Sequence, residues 1–368
     1  MCDMQVYLDN NATTPLRKAA MTEMLGVMGP PANPSSVHGF GRNARFLVES
    51  ARESVAMLAG CRPANVVFTS GGTESNNLVL AQYDHVITSA IEHDSVRFAH
   101  DRCQIIAVDE NGVIDLDHLT ATLSIIDESV KPNTIISVMA ANNETGVLQP
   151  IDQISEMARS LNIAFHSDMV QAFGKSHLDF ANSEISYASL SAHKIGGPAG
   201  VGALLVRPEC RVASLLRGGG QEQGRRSGTE NLIGIAGFGA AAADALGDIS
   251  HFNKMAAWRN DFEARMLDER DGIAVFGKSA PRIGNTSCIA AAGRAAETMI
   301  IAFDLAGVAI SAGAACSSGK VQSSHVLEAM GAGERAGEAI RISGGWATVK
   351  RDFETLADVF LQLYKQSA

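Results

Sequence analysis

The sequence predicts an α/β fold: a mostly parallel sheet flanked by helices, followed by a smaller α+β unit. Three observations carry this. Between about residues 50 and 210, short apolar runs alternate with helical stretches. The runs are continuously apolar, which marks strands buried on both faces, and helical links are the crossovers that parallel pairing needs. After residue 230 the pattern changes to a long Ala-rich helical stretch and then to further strands.

Taken in order, "NVVFTS" (65–70) is the first strand and leads into "GGTESNNLVLAQ", where two glycines end the strand and Thr73 opens a helix. "HVITSA" (85–90) leads into "IEHDSV", and "TIISVMA" (134–140) into "ANNETG". "NIAFHSD" (162–168) leads into "MVQAFGK". "YASLSAHK" (187–194) leads into "IGGPAGVG", and "ALLV" (203–206) closes the series. The second unit reads as helix to about residue 270, a turn at "PRIGNTS", a strand "CIAAA" and a helix "AETMIIAFDLAG". A last strand, "AIRISGG", and a last helix, "DFETLADVFLQLYKQ", complete it.

Composition limits the function classes. Hydrophobic residues make up 46% and charged residues 19%, a globular rather than a disordered balance. The net charge of −10 comes without any Lys/Arg cluster that could track a phosphate backbone, so no nucleic-acid partner is expected. The first residues lack a basic start followed by an apolar run, and the longest apolar stretch, Leu232–Ala243, is too short to span a bilayer. No membrane association is expected. The six cysteines, at 2, 61, 103, 210, 288 and 316, have no paired or ligand-like spacing. They read as reduced thiols in the cytoplasm.

Each strand ends in a polar cluster, and open α/β sheets bind ligands at the carboxyl ends of their strands. Gly71, Gly72 and Thr73 suit a phosphate at a helix start, or an ordinary capped turn. Lys194, just past a buried strand, is either a Schiff-base amine or a surface lysine. Asp168 could pair with a protonated pyridine nitrogen or simply cap a helix. His93 could lie against a flat ring or be a loop histidine. Arg341 could clamp a carboxylate through two hydrogen bonds or form a structural ion pair. Singly these are weak, but jointly they are what pyridoxal phosphate requires. Cys316 stands apart, among Ala, Gly and Ser in "ISAGAACSSGKVQSSHV".

The longer motifs add a resemblance. "YLDNNATTP", "NPSSVHGFG", "FTSGGTESNN", "EHDSV", "NNETGVLQPI", "HSDMVQAFGK", "SLSAHKIGGP", "RRSGTEN", "SAGAACSSG" and "IRIS" span nearly the whole chain. Together they resemble the cysteine desulfurases of the nitrogen-fixation and iron–sulfur assembly type. These are class-V aminotransferases, pyridoxal-phosphate enzymes of fold type I. Two positions depart from that pattern: Ala192 stands where relatives usually carry Gly, and Ala199 where they commonly carry Lys.

The resemblance implies a large domain over residues 14–248 and a small one formed by 1–13 and 249–368. Lys194 would hold the cofactor, Asp168 would pair with its pyridine nitrogen and Gln171 with its ring hydroxyl. His93 would stack on the ring and assist proton transfers. Gly72, Thr73, Ser191 and His193 would bind the phosphate, joined by Thr229 from the other subunit of a homodimer. Asn143 and Arg341 would hold the substrate carboxylate, with Asn143 also near the ring hydroxyl. Cys316 would accept sulfur from L-cysteine as a persulfide, release L-alanine, and pass the sulfur to an acceptor or iron–sulfur scaffold protein. Its only metal role would be as a transient cluster ligand. Rival expectations are selenocysteine lysis or amino transfer on the same fold, or phosphate binding without catalysis resting on "GGTESNN" alone.

Overall fold

A computed structural model describes residues 6–101, 103–313 and 323–365, the last without its side chain. The chain opens with a short strand, β1 (Val6–Tyr7), and two helices, α1 (Lys18–Val27) and α2 (Gly39–Leu58). The expected strand runs follow as β2 (Val66–Thr69), β3 (His85–Ser89), β5 (Thr134–Ser137), β6 (Ala164–Asp168), β7 (Tyr187–Ser191) and β8 (Gly202–Val206). Between β3 and β5 lies β4 (Cys103–Ile106), which the apolar pattern does not announce because Gln104 and Ile105 are exposed.

The helical links are α3 (Gly72–Leu80), the single turn α4 (Asp94–Arg97), α5 (Leu116–Ser124) and α6 (Ile151–Ser160). The link from β6 to β7 holds no α-helix. Residues 169–175 instead turn inward and bury Gln171 and Lys175.

Among the described residues these strands form one seven-stranded sheet in the order β2-β8-β7-β6-β5-β3-β4. All neighbours run parallel except β8, which is antiparallel to both β2 and β7. Both faces are covered. Val48 and Val55 of α2 pack with Ile136, Phe165, Leu190 and Phe238 on one side. Leu78 and Leu80 of α3 pack with Val86, Ile135 and Leu204 on the other. Helix α7 (Leu232–Ala245) reaches α2 closely because it is Gly/Ala-rich: a Cβ on Gly239 would sit 2.5 Å from Ala51 Cα.

The second unit holds α8 (Ile249–Glu269), β9 (Ile273–Val275), β10 (Thr286–Ala291), α9 (Ala296–Leu305), β11 (Val308–Ala309) and β12 (Ser311–Ala312). It ends with α10 (His325–Ala329), β13 (Ala339–Ser343) and α11 (Lys350–Lys365). An antiparallel sheet β12-β13-β10-β9 backs a separate core in which Phe252, Phe262, Phe303 and Phe360 meet Val6 and Leu8 from the chain's beginning. Strand β1 pairs with β11, Val6 opposite Val308. No single helix among the described residues is long and apolar enough to cross a membrane.

Candidate active site

The carboxyl ends of β6 and β7, the start of α3 and strand β13 enclose a cavity of about 340 Å³. Its walls include Gly72, Thr73, His93, Asn143, Asp168, Gln171, Ser191, His193, Lys194 and Arg341, so ten of the residues singled out in the sequence meet in one place. Thr229 is exposed and does not line this cavity. Cys316 lies outside the described residues.

At one end, β2 runs through Gly71 into α3. Gly71 has φ 155°, and a Cβ on Gly72 would come within 2.7 Å of Val170 Cγ2. Only glycines let the backbone pass so close to the β6–β7 link. The start of α3 faces the cavity, and a helix start carries N–H groups without intrahelical partners.

Lys194 sits in the turn after β7. Its amine donates to two backbone carbonyls, Asn11 O at 2.5 Å and Ala12 O at 2.7 Å. Burial lowers its pKa to about 8, and the nearby Arg341 guanidinium adds to this, while Asp9 and Asp168 oppose. His193 is pushed down to about 4, by burial first and then by Lys194 and Lys175. Its Nδ1 pairs with Thr13 Oγ1 at 3.2 Å.

Asp168 ends β6 and is 7% exposed. Its carboxylate accepts from Asn76 Nδ2 at 2.8 Å and from Val170 N at 3.0 Å. Asn76 also donates to Ser95 Oγ at 2.8 Å, and Ser95 Oγ meets His93 Nδ1 at 2.8 Å. Because His93 Nδ1 accepts the Ser95 N–H at 3.1 Å, the neutral ring carries its proton on Nε2. A chain of amide and hydroxyl groups thus ties the carboxylate to the imidazole. Next to it, the fully buried Glu92 is raised to about 8, by burial against the pull of Ser89 and the Met139 N–H, with Asp168 adding to the rise.

Arg341, on β13, is 2% exposed. Its Nη2 donates to Asp9 Oδ1 at 2.7 Å and its Nη1 to Asn143 O at 3.4 Å, while Nε has no partner.

This donor set fits pyridoxal phosphate. Asp168 is buried with no Lys or Arg within ion-pair distance among the described residues, so a cationic pyridine nitrogen is the partner it lacks. Arg341 retains an unpartnered buried donor for an anion. Lys194 rests on carbonyls rather than on an acid. Among the described residues no group of three His, Cys, Asp or Glu could hold a metal ion.

The sequence reading missed several residues here. Asn11 is the hub: its O accepts Lys194 Nζ and Gln171 Nε2, and its side chain meets Asn143 O, Thr286 Oγ1, Asn285 Nδ2 and Lys175 Nζ. Asn76, Ser95 and Lys175 were likewise overlooked. The signals were present as paired amides in "DNNATTP" and "ESNN" and as the four-residue spacing of Gln171 and Lys175 in "QAFGK".

The family profile described as aminotransferase class-V matches residues 6–356. Cysteine desulfurase IscS of Dictyoglomus turgidum is 35% identical, covering 98% of this chain and 95% of its own. Cysteine desulfurase NifS of Azotobacter vinelandii is 39% identical over 88% of this chain and 84% of its own. The solved structure of a NifS-like protein from Rickettsia africae superposes with a TM-score of 0.90 and 34% identity, covering 98% of this chain and 99% of that one. The chain therefore belongs to the class-V aminotransferase family and, within it, to the pyridoxal-phosphate-dependent cysteine desulfurases.

Proposed function

We propose that the protein converts L-cysteine to L-alanine, takes the sulfur on Cys316 as a persulfide, and passes it to an acceptor such as an iron–sulfur scaffold protein. It does so as a cytoplasmic homodimer with a large domain (14–248) and a small one (1–13 and 249–368); the two separate apolar cores support that division. The single observation that carries the reading is the pairing of a deprotonable Lys194 with a buried, cation-free Asp168 across one cavity.

Pyridoxal phosphate, when bound, supplies a cationic ring that takes up the electrons left when the substrate loses its α-proton. Lys194 would hold it, and the freed amine then removes that proton. Asp168 would keep the pyridine nitrogen protonated. Gln171 and Asn143 would meet the ring hydroxyl. Gly72, Thr73, Ser191 and His193 would hold the phosphate, joined by Thr229 from the second subunit. Arg341 and Asn143 bind the substrate carboxylate. His93, whose Nδ1 is held by Ser95, would stack on the ring and assist proton transfers through Nε2.

Sulfur transfer balances as a displacement. The Cys316 thiolate attacks the substrate sulfur, the carbon–sulfur bond breaks, and its electron pair stays on carbon. That carbon takes a proton, the α-carbon regains the proton that Lys194 removed, alanine leaves, and Cys316 becomes the persulfide.

The test is an absorbance spectrum of the purified protein before and after L-cysteine, with alanine measured. A visible cofactor band that responds to L-cysteine, with alanine formed, is expected. Protein that stays colourless after added pyridoxal phosphate would overturn the reading. Cys316→Ala should keep the band and lose sulfide release; wild-type turnover in that variant would rule out the persulfide.

A further inference from the structure

Behind the cavity lies a second lysine that the proposed chemistry does not use. Lys175 is 4% exposed, and among the described residues no carboxylate comes within ion-pair distance of it. A buried amine without a counter-charge is costly, so its bonds matter. Its Nζ donates to Gln171 Oε1 at 2.9 Å and to Asn11 Oδ1 at 3.4 Å. The other end of the Gln171 amide, Nε2, donates to Asn11 O at 3.0 Å. That same carbonyl receives Lys194 Nζ.

We propose that Lys175 is a positioning residue that locks the Gln171 carboxamide by its oxygen, so that the amide always presents N–H to the ring hydroxyl of the cofactor. This rests on the reading of Gln171 given above. A glutamine amide turned end over end would offer oxygen to that hydroxyl and lose the bond. With Oε1 taken by Lys175 and one N–H spent on Asn11 O, the second N–H remains for the cofactor. The lock works with Lys175 charged or neutral, because either form donates. Burial lowers Lys175 to about 7, and Lys194 and Arg341 add to this. The other charged and titratable groups around it are His193 after β7, and Arg17 and Asp248 across a small gap.

The lock has a spectroscopic consequence. An N–H donor on the ring oxygen stabilises its negative charge and weakens its hold on the proton of the adjacent lysine linkage. Losing the donor should therefore raise the pH at which the visible band of the loaded protein changes. The test is that pH titration on four loaded proteins: wild type, K175M, Q171A and the double variant. K175M should raise the midpoint by roughly one pH unit, the scale of one hydrogen bond. In the Q171A background K175M should add nothing, because its effect runs through Gln171. K175Q, which keeps an N–H donor, should fall between wild type and K175M.

K175M trades a buried unpaired amine for an apolar chain of similar length, so melting at or above wild type is expected. If K175M nonetheless fails to fold, K175A, which also removes the donor, decides in its place, and a wild-type midpoint there overturns the lock. An unchanged midpoint in K175M, or equal shifts in both backgrounds, overturns it as well. A wild type without any visible band overturns the pyridoxal-phosphate reading too, which separates the two failures.

Discussion

Lys194 must lose a proton before it can act as a nucleophile, and its surroundings arrange this near neutrality. With its pKa near 8 rather than 10.5, capture of added pyridoxal phosphate by the apoprotein should speed up from pH 6.5 to 9, with a midpoint near 8. Stopped-flow absorbance measures this; a midpoint near 10 would sink the idea. Arg341 depends on Asp9, which takes one guanidinium nitrogen and leaves Nε free. Asp9→Asn should raise KM for L-cysteine about tenfold with a smaller change in kcat, because the clamp on the carboxylate loosens.

Residues at this scale were unevenly legible. Lys194, Asp168, His93 and Arg341 could be read because each lies in a strand or within a few residues after one, in a local motif. Asn11 could not. Its partners Asn143, Gln171, Lys194 and Thr286 lie 132 to 275 positions away, and the local amide pair does not say which residues it meets.

Among the elements, the middle of the sheet contains a polar thread. Ser137 on β5 meets His166 Nδ1 at 2.8 Å, and His166 Nε2 on β6 meets Ser189 Oγ on β7 at 2.9 Å. Burial pushes this histidine down to about 3. The unfolded chain therefore binds a proton near pH 6.5 that the folded sheet refuses until about 3. Stability falls as pH drops through that window and is fully present above it. The loss from this one group between pH 7 and 4.5 is roughly 2.5 kcal/mol. His166→Gln should shrink the difference between urea midpoints at the two pH values; an unchanged difference would show that other groups govern the acid limb. The strands of this sheet other than β4 were visible from their apolar runs. The helix-free link from β6 to β7 was not, because its fold follows from side chains that turn into the cavity.

Over the whole molecule, Arg17 holds several parts together. Its guanidinium donates to Ile195 O at 2.6 Å beside Lys194, to Asp244 at 2.8 Å near the end of α7, and to Asp248 just before α8. It also lies over the Trp346 ring at 5.0 Å. Arg17→Met should cost about 3 kcal/mol in denaturant unfolding and weaken cofactor retention, since two acids lose their cation and the turn carrying Lys194 loses its brace. Full retention of both would disprove the bracing. On α1 and α2, Met21, Leu25, Phe40 and Phe46 stay exposed at 48%, 62%, 58% and 67%. The proposed dimer would cover apolar surface of this kind. Sedimentation should show a dimer, and Leu25→Asp with Phe46→Asp should halve the mass; an unchanged mass would place the interface elsewhere.

The seat of the first strand has a consequence for synthesis. Asp9 is held by Arg341, Asn10 by Ser343, and Asn11 by Thr286, 275 residues downstream. Ribosomes add about 5–20 residues each second. Asn11 therefore waits on the order of tens of seconds for the strand that fixes it. Until then the two carbonyls that receive Lys194 have no fixed place, however well the central sheet has formed. The reactive lysine is made halfway through translation but is armed only near its end, so a growing chain would not capture the reactive aldehyde before its own fold can enclose it.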